Sequence, residues 1–359
     1  TALILAAGNG HAETVNLLLD NGVDIDQRNP INGYTALISA ARKSDTETVN
    51  LLLKSGADAN LNDLDGDTSL ILAAFDGNTK IVELLLDKGV DINQRNPRNL
   101  DTPLILAAEL GHVETVNLLL KRGANVNFTN VHGDTALISA TSIDGDLSNR
   151  ALLSAADKAR TKIVELLWDK VANVNFTNND GDTAFLNAAG NGWTKIVELL
   201  LDKGVDINQR NLINGDTALL SAAGNGYTKI VELLLDKDVD INQHNLINGD
   251  TALLSAAGNG HAETGNLLLD KGVDVNQCNP RNSFTPLIFA AYNLQKEVIN
   301  LLLKRGADVR KCIHDKFLLF PKFQETEIQT IFMKINFFLC SLNNKASFSL
   351  IEQMFNNLG

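Results

Sequence analysis

The chain of 359 residues carries 43 acidic against 31 basic side chains, a formal net charge of −12. Nucleic acid and anionic membranes reward Lys and Arg, so this balance excludes both as natural partners and favours a protein with a basic surface. Three widely spaced cysteines, Cys278, Cys312 and Cys340, show no CxxC pairing, so neither a disulfide framework nor a zinc site is expected.

No stretch approaches the roughly 18 apolar residues that span a bilayer, and an intracellular setting is expected: the cytoplasm, or a host cytoplasm for a secreted effector. The chain opens at Thr1, inside a repeat, which is compatible with a fragment boundary.

Aligned on one threonine, the chain repeats at Thr1, Thr35, Thr68, Thr102, Thr135, Thr183, Thr217, Thr251 and Thr285, with intervals of 34, 33, 34, 33, 48, 34, 34 and 34 residues. A period of this length signals supersecondary units that stack because none can bury its apolar face alone. Within a unit, TALLSAA predicts a short first helix, capped by the threonine hydroxyl and lined with small residues that permit close helix approach. TKIVELLLDKG predicts a longer second helix that buries Ile81, Val82, Leu84, Leu85 and Leu86, with Gly89 at a left-handed C-terminal cap. The VDINQRN stretch and the Asn/Gly-rich residues after it predict a hairpin-like loop to the next unit. The fold class is therefore all-α.

Departures from the period are informative. In the long interval, TALISA (Thr135 to Ala140) is echoed by ALLSAA (Ala151 to Ala156), an insertion of about 15 residues in which either copy could form the first helix. Val171 and Asp238 stand where other units have the cap glycine, a placement that costs about 1 kcal/mol for a β-branched residue. Gly265 replaces the Val seen as Val15 and Val116, which makes the eighth repeat a soft spot. The segments DINQRNLINGDTALLSAAGNG and DINQHNLINGDTALLSAAGNG are nearly identical, the mark of internal duplication.

The succession G-x-T-[AP]-L, AA, G-[HYW], V-x-x-L-L and G-[AV]-[DN] resembles the ankyrin repeat over residues 1 to 310. The clearest instance is TPLILAAELGHVETVNLLLKRGANVN from Thr102. The proline of the family's TPLH survives only at Pro103 and Pro286, and the His is replaced throughout. The resemblance implies a solenoid of stacked helix-turn-helix units occupying residues 1–312, and a monomeric scaffold for protein binding.

It also implies that a partner meets the loop tips and the exposed side of the first helices, which form a concave surface. On this chain, the position before each threonine is Tyr34, Asp67, Asp101, Asp134, Asp182, Asp216, Asp250 or Phe284. The six carboxylates would form a ladder with about one Debye length between rungs, suited to a basic, extended partner. A second role for each Asp is turn and helix N-terminus chemistry. On the first-helix side, Arg42, Phe75, Glu109 and Tyr292 vary while Gly8, Gly190, Gly224 and Gly258 leave the surface flat. Phe75 and Tyr292 are candidate aromatic anchors. His11, His112, Trp193, Tyr227 and His261 share one slot after the inter-helix glycine and read as structural. The same holds for loop asparagines such as Asn93, Asn127, Asn208 and Asn242, which resemble hydroxylation sites of ankyrin proteins but serve the loop.

After Cys312 the period stops, and eight of the fourteen Phe fall between Phe317 and Phe355. Ile328, Ile331, Phe332, Ile335, Phe338, Leu339 and Leu342 follow helical spacing, and Ser349 with Glu352 suggests a capping box. Residues 313–359 are therefore expected as a C-terminal helical cap, or alternatively as a docking segment that recruits a ubiquitin ligase. No nucleophile elbow, phosphate loop or HExxH occurs, so neither catalysis, a metal nor a cofactor is expected.

Overall fold

A computed structural model describes residues 1–142, 150–170 and 172–308, and the chain divides into two compact units, Thr1–Val205 and Asp206–Gly359. Val171, the insertion residues 143–149 and the expected C-terminal cap or docking segment, 313–359, lie outside the described residues.

In the first unit the helices come in pairs: α1 (Ala2–Gly8) with α2 (Ala12–Asp20), α3 (Ala36–Arg42) with α4 (Thr46–Lys54), and α5 (Ser69–Phe75) with α6 (Thr79–Asp87). They are followed by α7 (Pro103–Glu109) with α8 (Val113–Lys121), α9 (Ala136–Thr141) with α10 (Arg150–Trp168), and α11 (Ala184–Gly190) with α12 (Thr194–Asp202). The second unit holds α13 (Ala218–Gly224) with α14 (Thr228–Leu235), α15 (Ala252–Asn259) with α16 (Ala262–Asp270), and α17 (Pro286–Tyr292) with α18 (Lys296–Lys304). Within each unit every first helix packs on its neighbouring first helices and on its own second helix.

The start of each pair follows from the threonine. Thr35, for example, is extended (φ −93°, ψ 171°), and its hydroxyl accepts the N–H of Ile38 at 3.2 Å. All nine repeat threonines make this bond, each removing one of the helix's unpaired N–H groups at a value of about 1 kcal/mol. Pro103 and Pro286 sit at the first helical turn, where a missing N–H costs nothing. The short helices are apolar on most sides because they are buried on most sides: Leu37, Ile38, Ala40 and Ala41 of α3 are all at 2% exposure or less. The second helices bury one stripe. In α6 this is Ile81, Val82 and Leu85, while Leu84 and Leu86, expected in the buried face, are half-buried. The described residues contain isolated antiparallel bridges in the loops, such as Thr129 with Thr135, and no strand.

Gly22, Gly56, Gly89, Gly123, Gly204, Gly272 and Gly306 close the second helices at φ between 77° and 93°, with open space around the site of a Cβ. Asp238 adopts the same left-handed conformation at φ 59°, so its strain is confined to the backbone.

The long interval is resolved in favour of the first copy. Thr135 caps α9, and ALLSAA falls within the long α10. This leaves a defect to repair. In a regular repeat, the backbone N–H of the residue entering the second helix donates to a carbonyl near the end of the first, as His112 N does to Ala107 O at 2.9 Å and Tyr227 N to Ala222 O at 2.9 Å. In α10 the corresponding residue, Arg160, lies in mid-helix and its N–H is already committed there. Its side chain substitutes: the buried guanidinium donates to Ala140 O at 2.8 Å and Ser139 O at 3.3 Å, and lies 5.6 Å from the centre of the Trp193 ring.

One expectation is corrected. Cys278 is disulfide-bonded. The absence of a disulfide expected from the spacing of the cysteines therefore does not hold for Cys278. Among the described residues no helix is long and apolar enough to cross a membrane.

Candidate functional site

The loops are held by a residue type that the sequence pattern left unassigned. Five or six positions before each threonine from Thr35 onward stands Asn29, Asp63, Asn96, Asn130, Asn178, Asn211, Asn245 or Asn279. Each side-chain oxygen accepts the backbone N–H two residues on, folding the loop tip into a tight turn. The signal was present as an Asx at nearly constant offset.

The amide groups of these asparagines then reach back one repeat, to the aspartate that precedes the earlier threonine. Asn96 donates to Asp67 at 2.6 Å and Asn178 to Asp134 at 2.8 Å. In the second unit Asn245 donates to Asp216 and Asn279 to Asp250, both at 2.7 Å. These carboxylates are half-buried, and each is tied to the asparagine of the following repeat. Burial pushes the carboxyl groups of Asp67, Asp101 and Asp250 above the usual range, against the lowering effect of the hydrogen bonds from Asn96, Asn130 and Asn279.

Several of the candidate residues converge within the first unit. Asp101, Glu109, Asp134 and Asp182 line one cleft of about 540 Å³, together with His132, Asp180, Ser139, Ser142 and the amides of Asn99, Asn130, Asn178, Asn187 and Asn191. Among the described residues, five carboxylates and no Lys or Arg line it. Asp101 is only 8% exposed, and its Oδ1 has no hydrogen-bond partner. A second, half-apolar cleft of about 360 Å³ is lined by Arg42, Asp67, Phe75, Asp76, Ile71, Leu72, Asn99 and Leu106. Arg42 also packs over the Tyr34 ring at 5.0 Å and donates to its hydroxyl.

In the second unit Phe284 meets Phe289 edge-on at 5.5 Å between ring centres, and Tyr292 is 51% exposed, much as Phe75 is in the first unit. Composition gave no warning of the loop tips there. Leu212 and Ile213, and their duplicates Leu246 and Ile247, are more than half exposed, four large apolar side chains on consecutive tips.

The aromatic and histidine slot is structural. His112 Nε2 lies 2.8 Å from Phe75 O of the preceding repeat, and a Cβ on Gly77 (φ 70°) would strike its ring at 2.5 Å. The loop asparagines tie neighbouring repeats too: Asn93 Oδ1 accepts from Asn125 N at 2.8 Å, and Asn127 Oδ1 from Asn173 N at 3.1 Å. Among the described residues no group of His, Cys, Asp and Glu gathers to hold a metal ion.

Threonine-capped helix pairs, closed by left-handed glycines and joined by side-chain-pinned loops, define a helical-repeat protein of the solenoid class. A family model described as "Ankyrin repeats (3 copies)" matches residues 3–96, 70–153, 152–245 and 238–311, and the chain belongs to the ankyrin-repeat family. A solved structure described as "Crystal structure of human ASB11 ankyrin repeat domain" is similar in fold, with a TM-score of 0.56 and 24% identity over 67% of this chain and 99% of that one. A comparison with curated proteins finds no match. Ankyrin repeats generally mediate protein–protein interaction.

Proposed function

We propose that this chain is a scaffold that binds an extended, basic segment of a protein partner along the face made by its loops and first helices. The observation that carries the reading is the convergence of Asp101, Glu109, Asp134 and Asp182, supplied by three successive repeats, on one cleft that no Lys or Arg lines among the described residues. The second cleft adds Asp67 and the aromatic edge of Phe75 on the same kind of element. In the second unit, Asp216 and Asp250 with the exposed Tyr292 offer the same combination of carboxylates and an aromatic.

Association of this kind is steered by charge and weakens as salt rises. The test is capture of proteins from a eukaryotic lysate on the full chain and on a variant in which Asp67, Asp134, Asp216 and Asp250 are changed to Asn. Basic proteins retained by the first, lost from the second and released by moderate salt are the expected result. Equal retention by both would reject the carboxylate face. Retention of ubiquitin-ligase components by both would instead favour an adaptor acting through residues after Cys312.

A further inference from the structure

We infer that the cleft of the third and fourth repeats is an anchor pocket for one large apolar side chain of a partner's extended segment, with a Lys or Arg beside that side chain reaching Asp76. The inference rests on the reading above and deepens it, because it gives the basic segment an apolar residue and a fixed place to seat it.

Repetition shows what is unusual here. A Cβ built on Gly8 would lie 3.6 Å from that of Ser39, and one built on Gly224 would lie 3.6 Å from that of Ser255. The seventh residue after one repeat threonine therefore faces the fourth residue after the next. Where that pair is glycine and serine, as at these two junctions, the first-helix surface is flat and polar. At the junction of the third and fourth repeats the same two slots hold Phe75 and Leu106, and both line the cleft of about 360 Å³ together with Ile71 and Leu72. Phe75 is 50% exposed and Leu106 is half-buried, so this apolar surface is open to solvent and not used up in the core. The opening suits one side chain of the size of Leu or Phe with its flanking backbone.

The charges of the cleft settle what flanks that side chain. Asp76 stands at the position that Asn9, Asn191, Asn225 and Asn259 hold in other repeats. It is exposed, no donor among the described residues reaches its carboxylate, and the charges that act on it are those of Arg42 and His112. Asp67, by contrast, is half-buried and already holds the amide of Asn96 at 2.6 Å. Arg42, the cation of the cleft, is engaged elsewhere: it packs over the Tyr34 ring at 5.0 Å and donates to its hydroxyl. Two carboxylates against one engaged guanidinium repel an acidic flank and attract a basic one. A Lys or Arg next to the anchor meets both the Asp76 carboxylate and the ring of Phe75.

The probe is a library of random dodecapeptides displayed on phage and selected on the full chain at low salt, after which the recovered peptide is synthesised and titrated calorimetrically. Enriched sequences are expected to pair Phe, Leu or Trp with a Lys or Arg close by. Phe75→Gly and Leu106→Ser each install a residue that other repeats carry at that position, with circular dichroism to check that the fold is kept, and each should weaken the peptide by about tenfold or more. Asp76→Asn, drawn from the other repeats in the same way, should weaken it about threefold and flatten its salt dependence. Leu5→Ser alters an exposed leucine of the same row outside the cleft and should change affinity by less than about twofold. Selection without apolar residues, unchanged affinity in Phe75→Gly or Leu106→Ser, or an equal loss in Leu5→Ser overturns the inference. A peptide lost from the four-aspartate variant but kept by Phe75→Gly refutes the pocket and leaves the carboxylate face standing. Loss in Phe75→Gly with full retention by the four-aspartate variant does the reverse.

Discussion

The fifth and seventh repeats solve the same problem with different parts. In the seventh, the chain passes from α13 to α14 through Asn225 and Gly226, and the N–H of Tyr227 closes the carbonyl of Ala222. In the fifth, the inserted residues remove that connection, and a side chain from within α10 performs the closure on Ala140. The backbone solution depends on a glycine that reaches positive φ (75° at Gly226) and on little else. The Arg160 solution depends on one side chain having the right length, fork and charge. A repeat can therefore absorb a long insertion, but the tolerance is concentrated at a single residue.

Removing that residue is the largest effect expected. Arg160→Ala removes the side-chain donor from the Ala140 carbonyl, one of two donors from the Ser139 carbonyl, and the cation from the Trp193 ring, and should cost about 3 kcal/mol in denaturant unfolding. Amide exchange should quicken first in α9. Tyr227→Ala in the seventh repeat leaves the backbone bond intact and should cost about 1 kcal/mol. Equal losses at the two sites would show that closure by a side chain is no more vulnerable than closure by the backbone.

The eighth repeat sharpens the comparison from the other direction. Gly265 sits where Val231 is fully buried in α14, and a Cβ built on it would rest 3.7 Å from Leu301 and 3.9 Å from Leu253, in ordinary contact. Gly265→Ala should therefore raise stability by about 1 kcal/mol, chiefly through helix propensity, seen as a higher midpoint in urea. A smaller gain, about 0.5 kcal/mol, is expected from Asp238→Gly, which relieves a left-handed backbone in open space.

The smallest effect is pH-dependent. Burial raises the pKa of Asp101 above its ordinary 3.8, so the folded chain holds that proton more tightly than the unfolded chain, and stability falls as pH climbs above 3.8. Asp101→Asn abolishes this cost. Its melting temperature should exceed that of the unaltered chain at neutral pH, and the gap should close as pH drops below 3.8.

Much of this was legible in the sequence because repetition samples each position nine times. The capping threonines, the buried Leu and Val stripe and the glycine stops were all recognisable as slots. What occurs once was harder to read. Arg160 aligned with Trp193 and Tyr227, yet nothing local indicated that it would lie in mid-helix and bond α9. The two TALISA-like copies were indistinguishable on propensity, and the threonine cap present on only one of them decides between them. The recurrence of the carboxylates along the chain was legible, but their ties to the asparagine of the following repeat were not. That pairing, and the exposure of Leu212 and Leu246, belongs to neighbours in space.

The backward reach of the loop asparagines also bears on how such a chain can grow. The duplicated block from Asp206 to Gly226 contains both Asn211 and Asp216, and its copy from Asp240 to Gly260 contains both Asn245 and Asp250. Every copy thus carries a donor for the unit behind it and an acceptor for the unit ahead. A newly copied block brings both halves of this loop bond with it, so that bond needs no new residue type when the array lengthens by gene duplication.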